Sequence, residues 1–138
     1  MATKKGFSIE VSSRYDGWWR YNAALMCGMF DAAGNRTGFA SATSQVADVG
    51  AGPDEPPADI DPARSVLLEA PECDHIVLYI YIIPHRLPAS NDIDTTKPFD
   101  IKLTARYNGR ELLAQKHSIN QWSGASLEIK IGREGEIK

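Results

Sequence analysis

The chain has little with which to staple itself, cross a membrane or grip a nucleic acid. Its two cysteines, Cys27 and Cys73, are too few for the disulfide frameworks of small secreted domains, and neither has a second Cys or a His at metal-ligand spacing. They read as two free core thiols inside strand segments, which suits a reducing compartment and points to the cytoplasm. A single disulfide, or a secreted chain with its leader removed, is the alternative. The longest apolar run, Ile76 to Pro84, is about half of what a bilayer span requires, so no transmembrane segment is expected. Lys4 and Lys5 near the start are followed by alternating polar residues instead of an apolar stretch and cleavage site, so no signal peptide is read. The 15 Lys and Arg are scattered and outnumbered by 18 Asp and Glu. No basic run exists to track phosphates, and a nucleic-acid partner is not expected.

Catalytic signatures are equally scarce. No Gly-x-Ser-x-Gly elbow, His-Glu-x-x-His helix or phosphate-cradling glycine loop occurs. His75, His85 and His117 stand singly at strand borders or in loops, without the spacing of a zinc site. Glu10, Glu69, Glu111 and Glu128 alternate with apolar neighbours, as on a solvated sheet face, not as an acid and base across a cleft. A hydrolase with a dispersed site has no residue to name as catalytic, and the reading leans away from an enzyme.

What the chain does have is strand periodicity. Apolar residues at 43% and charged residues at 24% suit an ordinary soluble globular domain, and 138 residues suit one hydrophobic core. Phe7 to Ser12, Ile101 to Tyr107 and Leu127 to Ile131 alternate apolar and polar residues, as strands with one wet face do. Asn108-Gly109 readily supplies two positive φ angles, so Tyr107 and Arg110 should flank a type I′ hairpin. The strand returning over Glu111 to Ser118 then has Leu112 and Ala114 on one face and Glu111, Leu113 and Gln115 on the other, with its polar face wet. Ile76 to Ile83 is apolar on both faces and reads as a central strand ended by Pro84. Trp18 to Phe30 reads as a long strand entering a turn at Asp31 to Asn35, a helix over Ala23 to Met29 being the alternative. Arg36 to Ser44 is its small, polar partner, and Val66 to Leu68 a short strand. Residues 46–62 and 84–98 are long loops, and Asp16-Gly17 and Ser123-Gly124 mark turns.

About eight strands with no convincing helix predict an all-β fold: one domain over residues 1–138, a two-sheet antiparallel β-sandwich of jelly-roll, C2-like or Ig-like type, with a closed barrel as the alternative. Three sets of residues stand out as candidate sites. Asp59, Asp61, Asp92 and Asp94, in two Asp-Ile-Asp tripeptides on the long loops, present alternate carboxylates suited to a hard cation, so Ca²⁺ is the cofactor to consider. Trp18 and Trp19 are neighbours, so in a strand only one ring enters the core. The other, beside Tyr15 or Tyr21, would be free to stack on a glycan or anchor an interface. Trp122, in a connecting turn, is expected to plug one end of the core.

The function expected from this list is a non-catalytic binding or assembly module whose partner is another protein or a second copy. Calcium-assisted binding of a carbohydrate or lipid headgroup is the second reading.

Overall fold

Residues that alternate in polarity bury every second side chain, and the strands so formed stack into two sheets. A computed structural model describes residues 5–46, 64–85, 87–88 and 96–137. Among them are β1 (Phe7–Ser12), β2 (Tyr21–Phe30), β3 (Arg36–Ser44), β4 (Ser65–Ala70), β5 (His75–Pro84), β6 (Phe99–Tyr107), β7 (Arg110–Ile119), β8 (Ala125–Gly132) and β9 (Gly135–Glu136). The strand beyond the expected eight is the two-residue β9. All pairs are antiparallel, in a four-stranded sheet ordered β4-β1-β6-β7 and a five-stranded sheet ordered β3-β2-β5-β8-β9. The sheets do not close on one another, so the fold is an all-β sandwich and not a barrel.

The core lies between them. Phe7, Ile9 and Val11 of β1 and Ile101 and Leu103 of β6 face Leu25 and Cys27 of β2 and Ile76, Leu78, Ile80 and Ile82 of β5. As its apolar character predicted, β5 is a central strand, between β2 and β8, and it ends at Pro84, which has no N–H to donate. The Asn108-Gly109 turn has the two positive φ angles of a type I′ hairpin, 52° and 84°. Asn108 also ties the hairpin to the start of β1: the Gly6 N–H donates to Asn108 Oδ1 at 2.7 Å.

Three expectations are corrected. The segment Trp18–Arg20 is a 3₁₀ turn, not the start of a strand, and β2 begins at Tyr21. Successive residues of a 3₁₀ turn are rotated by about 120°, so Trp18 and Trp19 need not face opposite sides, and both are buried. In β7 the register shifts opposite Ala105 and Arg106, leaving Leu112 as the extra residue of a bulge. Leu113 and Gln115 therefore pair with buried Ala105 and Leu103 on the inner side, half-buried at the sheet edge, and Ala114 is exposed. Cys73 lies in the turn between β4 and β5, outside any strand, while Cys27 is buried in β2; both thiols are free.

Polar contacts latch both long edges of the sandwich. On one side Gln115 of β7 donates to Glu136 of β9 at 2.8 Å. On the other, Arg64 donates through Nε to Ser44 Oγ at 2.8 Å, and its remaining nitrogens donate to the Trp18 and Tyr21 carbonyls.

Two groups make the fold sensitive to alkali. Burial pushes the Tyr21 hydroxyl from 10.0 to about 12 and the Cys27 thiol from 9.0 to about 11. Above pH 9 the unfolded chain loses these protons while the folded chain keeps them, so the unfolded state binds fewer protons and stability falls as pH rises. Each group costs up to about 1.4 kcal/mol per pH unit within its window. In urea titrations the midpoint of Cys27→Ala should decline less steeply than wild type between pH 9 and 11; equal slopes would remove the thiol from this account.

Candidate functional site

Among the described residues the inner faces are packed and the edges latched, and the two outer faces are broad surfaces whose chemistry differs. On the four-stranded sheet the cross-strand rows read Glu69–Ser8–Arg106, Leu67–Glu10–Thr104–Ala114 and Ser65–Ser12–Lys102–Lys116. Charges and hydroxyls dominate, with Leu67 the one large apolar residue in these rows.

The outer face of the five-stranded sheet reads Phe39–Gly28–Val77–Lys130, Ser41–Met26–Tyr79–Glu128 and Thr43–Ala24–Tyr81–Ser126, with Phe30–His75 before these rows and Asn22–Ile83 after them. Every β5 residue on this side is apolar or aromatic from Val77 to Ile83. Phe39 is 68% exposed, Met26 44% and Ile83 41%. The face lies on the side of β5 opposite the core, so it follows directly from a strand that is apolar on both faces.

A depression of about 300 Å³ lies at the centre of this face, bordered by Met26, Phe39, Ser41 and Tyr79 and floored by Gly28. A methyl group on Gly28 would come within 3.2 Å of the Phe30 ring. Around it the rings are held in place. Phe30 stacks on His75 at 5.1 Å, and His75 Nδ1 lies 2.8 Å from Asp74 Oδ2. The Arg36 guanidinium caps Phe39 at 4.3 Å. The Tyr79 hydroxyl donates to Glu128 Oε1 at 3.3 Å, and the Glu128 charge raises the Tyr79 pKa above its ordinary value, keeping the phenol protonated. The result is an exposed surface of Met and aromatic rings with one acid and one base at its β8 border. Protein interfaces are enriched in such residues, and solvated sheet faces are not.

No family model matches the chain, and none of the curated proteins does. Among solved structures it is similar to a domain of unknown function, DUF4425, from Bacteroides vulgatus ATCC 8482, at 9% identity and a TM-score of 0.46 over 92% of this chain and 95% of that one. A DUF4425 family protein from Bacteroides ovatus ATCC 8483 is similar at 10% identity and a TM-score of 0.39, over 93% and 94%. Likenesses this faint leave the chemistry of the surface to its own geometry.

The residues singled out from sequence lie elsewhere. Trp18 and Tyr21 are fully buried and Trp19 is 9% exposed, so the expected stacking platform for a glycan is absent at these three rings. The Trp18 indole donates to the Arg64 carbonyl at 3.1 Å and the Tyr21 hydroxyl to the Gln121 carbonyl at 2.8 Å. Trp19 packs beside His85, whose Nε2 donates to the Trp19 carbonyl at 2.7 Å. Trp122 does not plug the core: it is 41% exposed, in a turn where Asn120 Oδ1 accepts from the Trp122 and Ser123 N–H groups. Asp59, Asp61, Asp92 and Asp94 lie outside the described residues. Among the described residues no group of three His, Cys, Asp or Glu is placed to hold a metal, and no helix is long and apolar enough to cross a membrane.

A larger hollow at one end of the sandwich, bordered by Tyr107, Arg110 and Arg133, is lined by groups that pair with one another. Arg110 meets Glu134 at 3.3 Å and Arg133 meets Asp74 at 3.5 Å. Its cations are already answered by their own acids.

Sequence reasoning missed Met26, Gly28 and Phe39. The available signal was Phe39 itself, a lone aromatic in a strand otherwise built from Arg, Thr, Gly, Ala and Ser.

Proposed function

We propose that this domain is a protein-binding module, not an enzyme, and that it docks its partner on the outer face of the five-stranded sheet. The observation that carries this reading is the contrast between the two outer faces of one sandwich. One carries charges and hydroxyls with Leu67 as its single large apolar residue, while the other exposes Phe39, Met26 and Ile83 around the half-buried Val77, Tyr79 and Tyr81. Apolar rings left on one face of a sheet carry a solubility cost that a partner removes, and Tyr, Met and Arg are residues from which interface anchors are commonly made.

A photocrosslinking amino acid placed at Phe39 or at Tyr79, and at Lys102 on the opposite face as a control, tests this in cell lysate. Discrete protein adducts are expected from positions 39 and 79 and not from 102. Adducts absent at both, or equally abundant at 102, would overturn the assignment of the face.

A further inference from the structure

Resting on that reading, we infer that the partner is a second copy of this chain, packed face to face about a two-fold axis that crosses the strands between the Val77 and Tyr79 rows. The geometry points to this axis because the two central rows complement each other when one is laid on the other. Such an axis lies in the plane of the interface, reverses the strand direction and keeps each strand over its own counterpart. The row Phe39–Gly28–Val77–Lys130 of one copy then covers the row Ser41–Met26–Tyr79–Glu128 of the other.

Each of the four columns fits. Met26 of one copy enters the depression beside Gly28 of the other, between the Phe39 and Tyr79 side chains. Phe39 lies over the small Ser41, Val77 over the Tyr79 ring, and Lys130 over Glu128. The axis repeats each contact, giving two large-on-small insertions per pair of columns and two ion pairs along the β8 border. The neighbouring rows continue the pattern, with Phe30 over Ala24 and His75 over Tyr81. Shifting the axis by half a row spacing, onto the Tyr79 row itself, would set Met26 on Met26 and Glu128 on Glu128. The charge pattern therefore selects the axis as well as the partner.

The arrangement is isologous and closes at two copies, so the exposed apolar face is used up without leading to a fibre. Aligned packing of sheets at about 30° is the ordinary geometry for such faces. Four strands about 4.8 Å apart and rows about 6.8 Å apart give a footprint on the order of 600 Å² per copy. That is smaller than the roughly 800 Å² per partner of a standard interface, so a reversible dimer with a micromolar dissociation constant is expected.

Sedimentation equilibrium of the full chain from about 5 to 500 μM tests this range. The wild-type mass should rise from 15.2 kDa towards twice that value. Lys130→Glu and Glu128→Lys each oppose like charges twice, and each should raise the dissociation constant at least about tenfold. The double variant Glu128→Lys/Lys130→Glu should return to within about threefold of wild type, because the swapped charges meet again across the axis. Both residues are exposed, and a thermal melt of each variant confirms the fold. A wild-type monomer throughout, or a double variant no tighter than the singles, overturns the two-fold packing. The docking reading is judged separately, by the crosslinks at Phe39: adducts of another mass would leave it standing without the dimer, and their absence would remove both.

Discussion

Gly124→Ala should destabilise the domain by about 4 kcal/mol or more, a large share of the 5–15 kcal/mol typical of a folded domain. Two separate costs meet at this residue. Its φ of +69° is in the left-handed region that side chains with a Cβ seldom enter, costing roughly 1 kcal/mol. The second cost is larger: a Cβ at Gly124 would stand 1.9 Å from the Ile82 carbonyl oxygen, so the turn after β7 could no longer lie against the end of β5. The Gly124 N–H donates to the Asn120 carbonyl at 2.9 Å, which leaves the turn little freedom to retreat. Gly34 is the internal control. Its φ is +86°, yet no atom lies within 4 Å of where its Cβ would be. Gly34→Ala should therefore cost about 1 kcal/mol, and urea unfolding of the two variants separates backbone conformation from close approach. Similar losses at both sites would show that the contact with Ile82 is not what requires glycine.

Such close approaches between distant segments mark the limit of what the sequence discloses. The Asn108-Gly109 hairpin is legible because its cause is local: two adjacent residues supply both dihedral angles. The inward positions of β1 and β5 are legible because alternation within one strand decides which side is buried. Leu112 is different. Nothing in Glu111-Leu112-Leu113 announces a bulge, which arises from how β7 pairs with β6. The misplaced Trp pair has a related origin. Alternation assigns the two rings opposite faces only if the backbone is extended, and Asp16-Gly17, recognised as a turn, in fact opens a 3₁₀ turn that carries through Trp18 and Trp19. The candidate surface was half legible. Val77, Tyr79, Tyr81 and Ile83 are visible as the second apolar side of one strand. That Met26 lies beside Tyr79, with Ser41 next to it, depends on strand order, which no local pattern encodes.

Trp18→Ala should cost about 4 kcal/mol, within the range for truncating a buried aromatic, and part of that loss should belong to Arg64. The Trp18 ring is fully buried, stacked near Tyr21 at 6.4 Å and edge-on to Phe99 at 6.2 Å. The Arg64 guanidinium lies over the indole, 4.6 Å from the ring centroid, in cation–π geometry. Arg64 is itself 9% exposed, and burial lowers its pKa from the ordinary value. A cation so placed is tolerated because each arm of the fork has an acceptor: Ser44 Oγ, the Trp18 carbonyl and the Tyr21 carbonyl. The same residue thus ties the start of β4 to the end of β3 and to the entry of β2, holding one edge of the sandwich shut. Arg64→Met keeps much of the volume and leaves two inward carbonyls without that donor, at a cost of about 3 kcal/mol. Because ring and guanidinium support one another, the Trp18→Ala/Arg64→Met double variant should lose at least about 1 kcal/mol less than the two single losses combined. Strict additivity in urea unfolding would mean that Arg64 acts through its hydrogen bonds alone and that the indole contributes only its buried area.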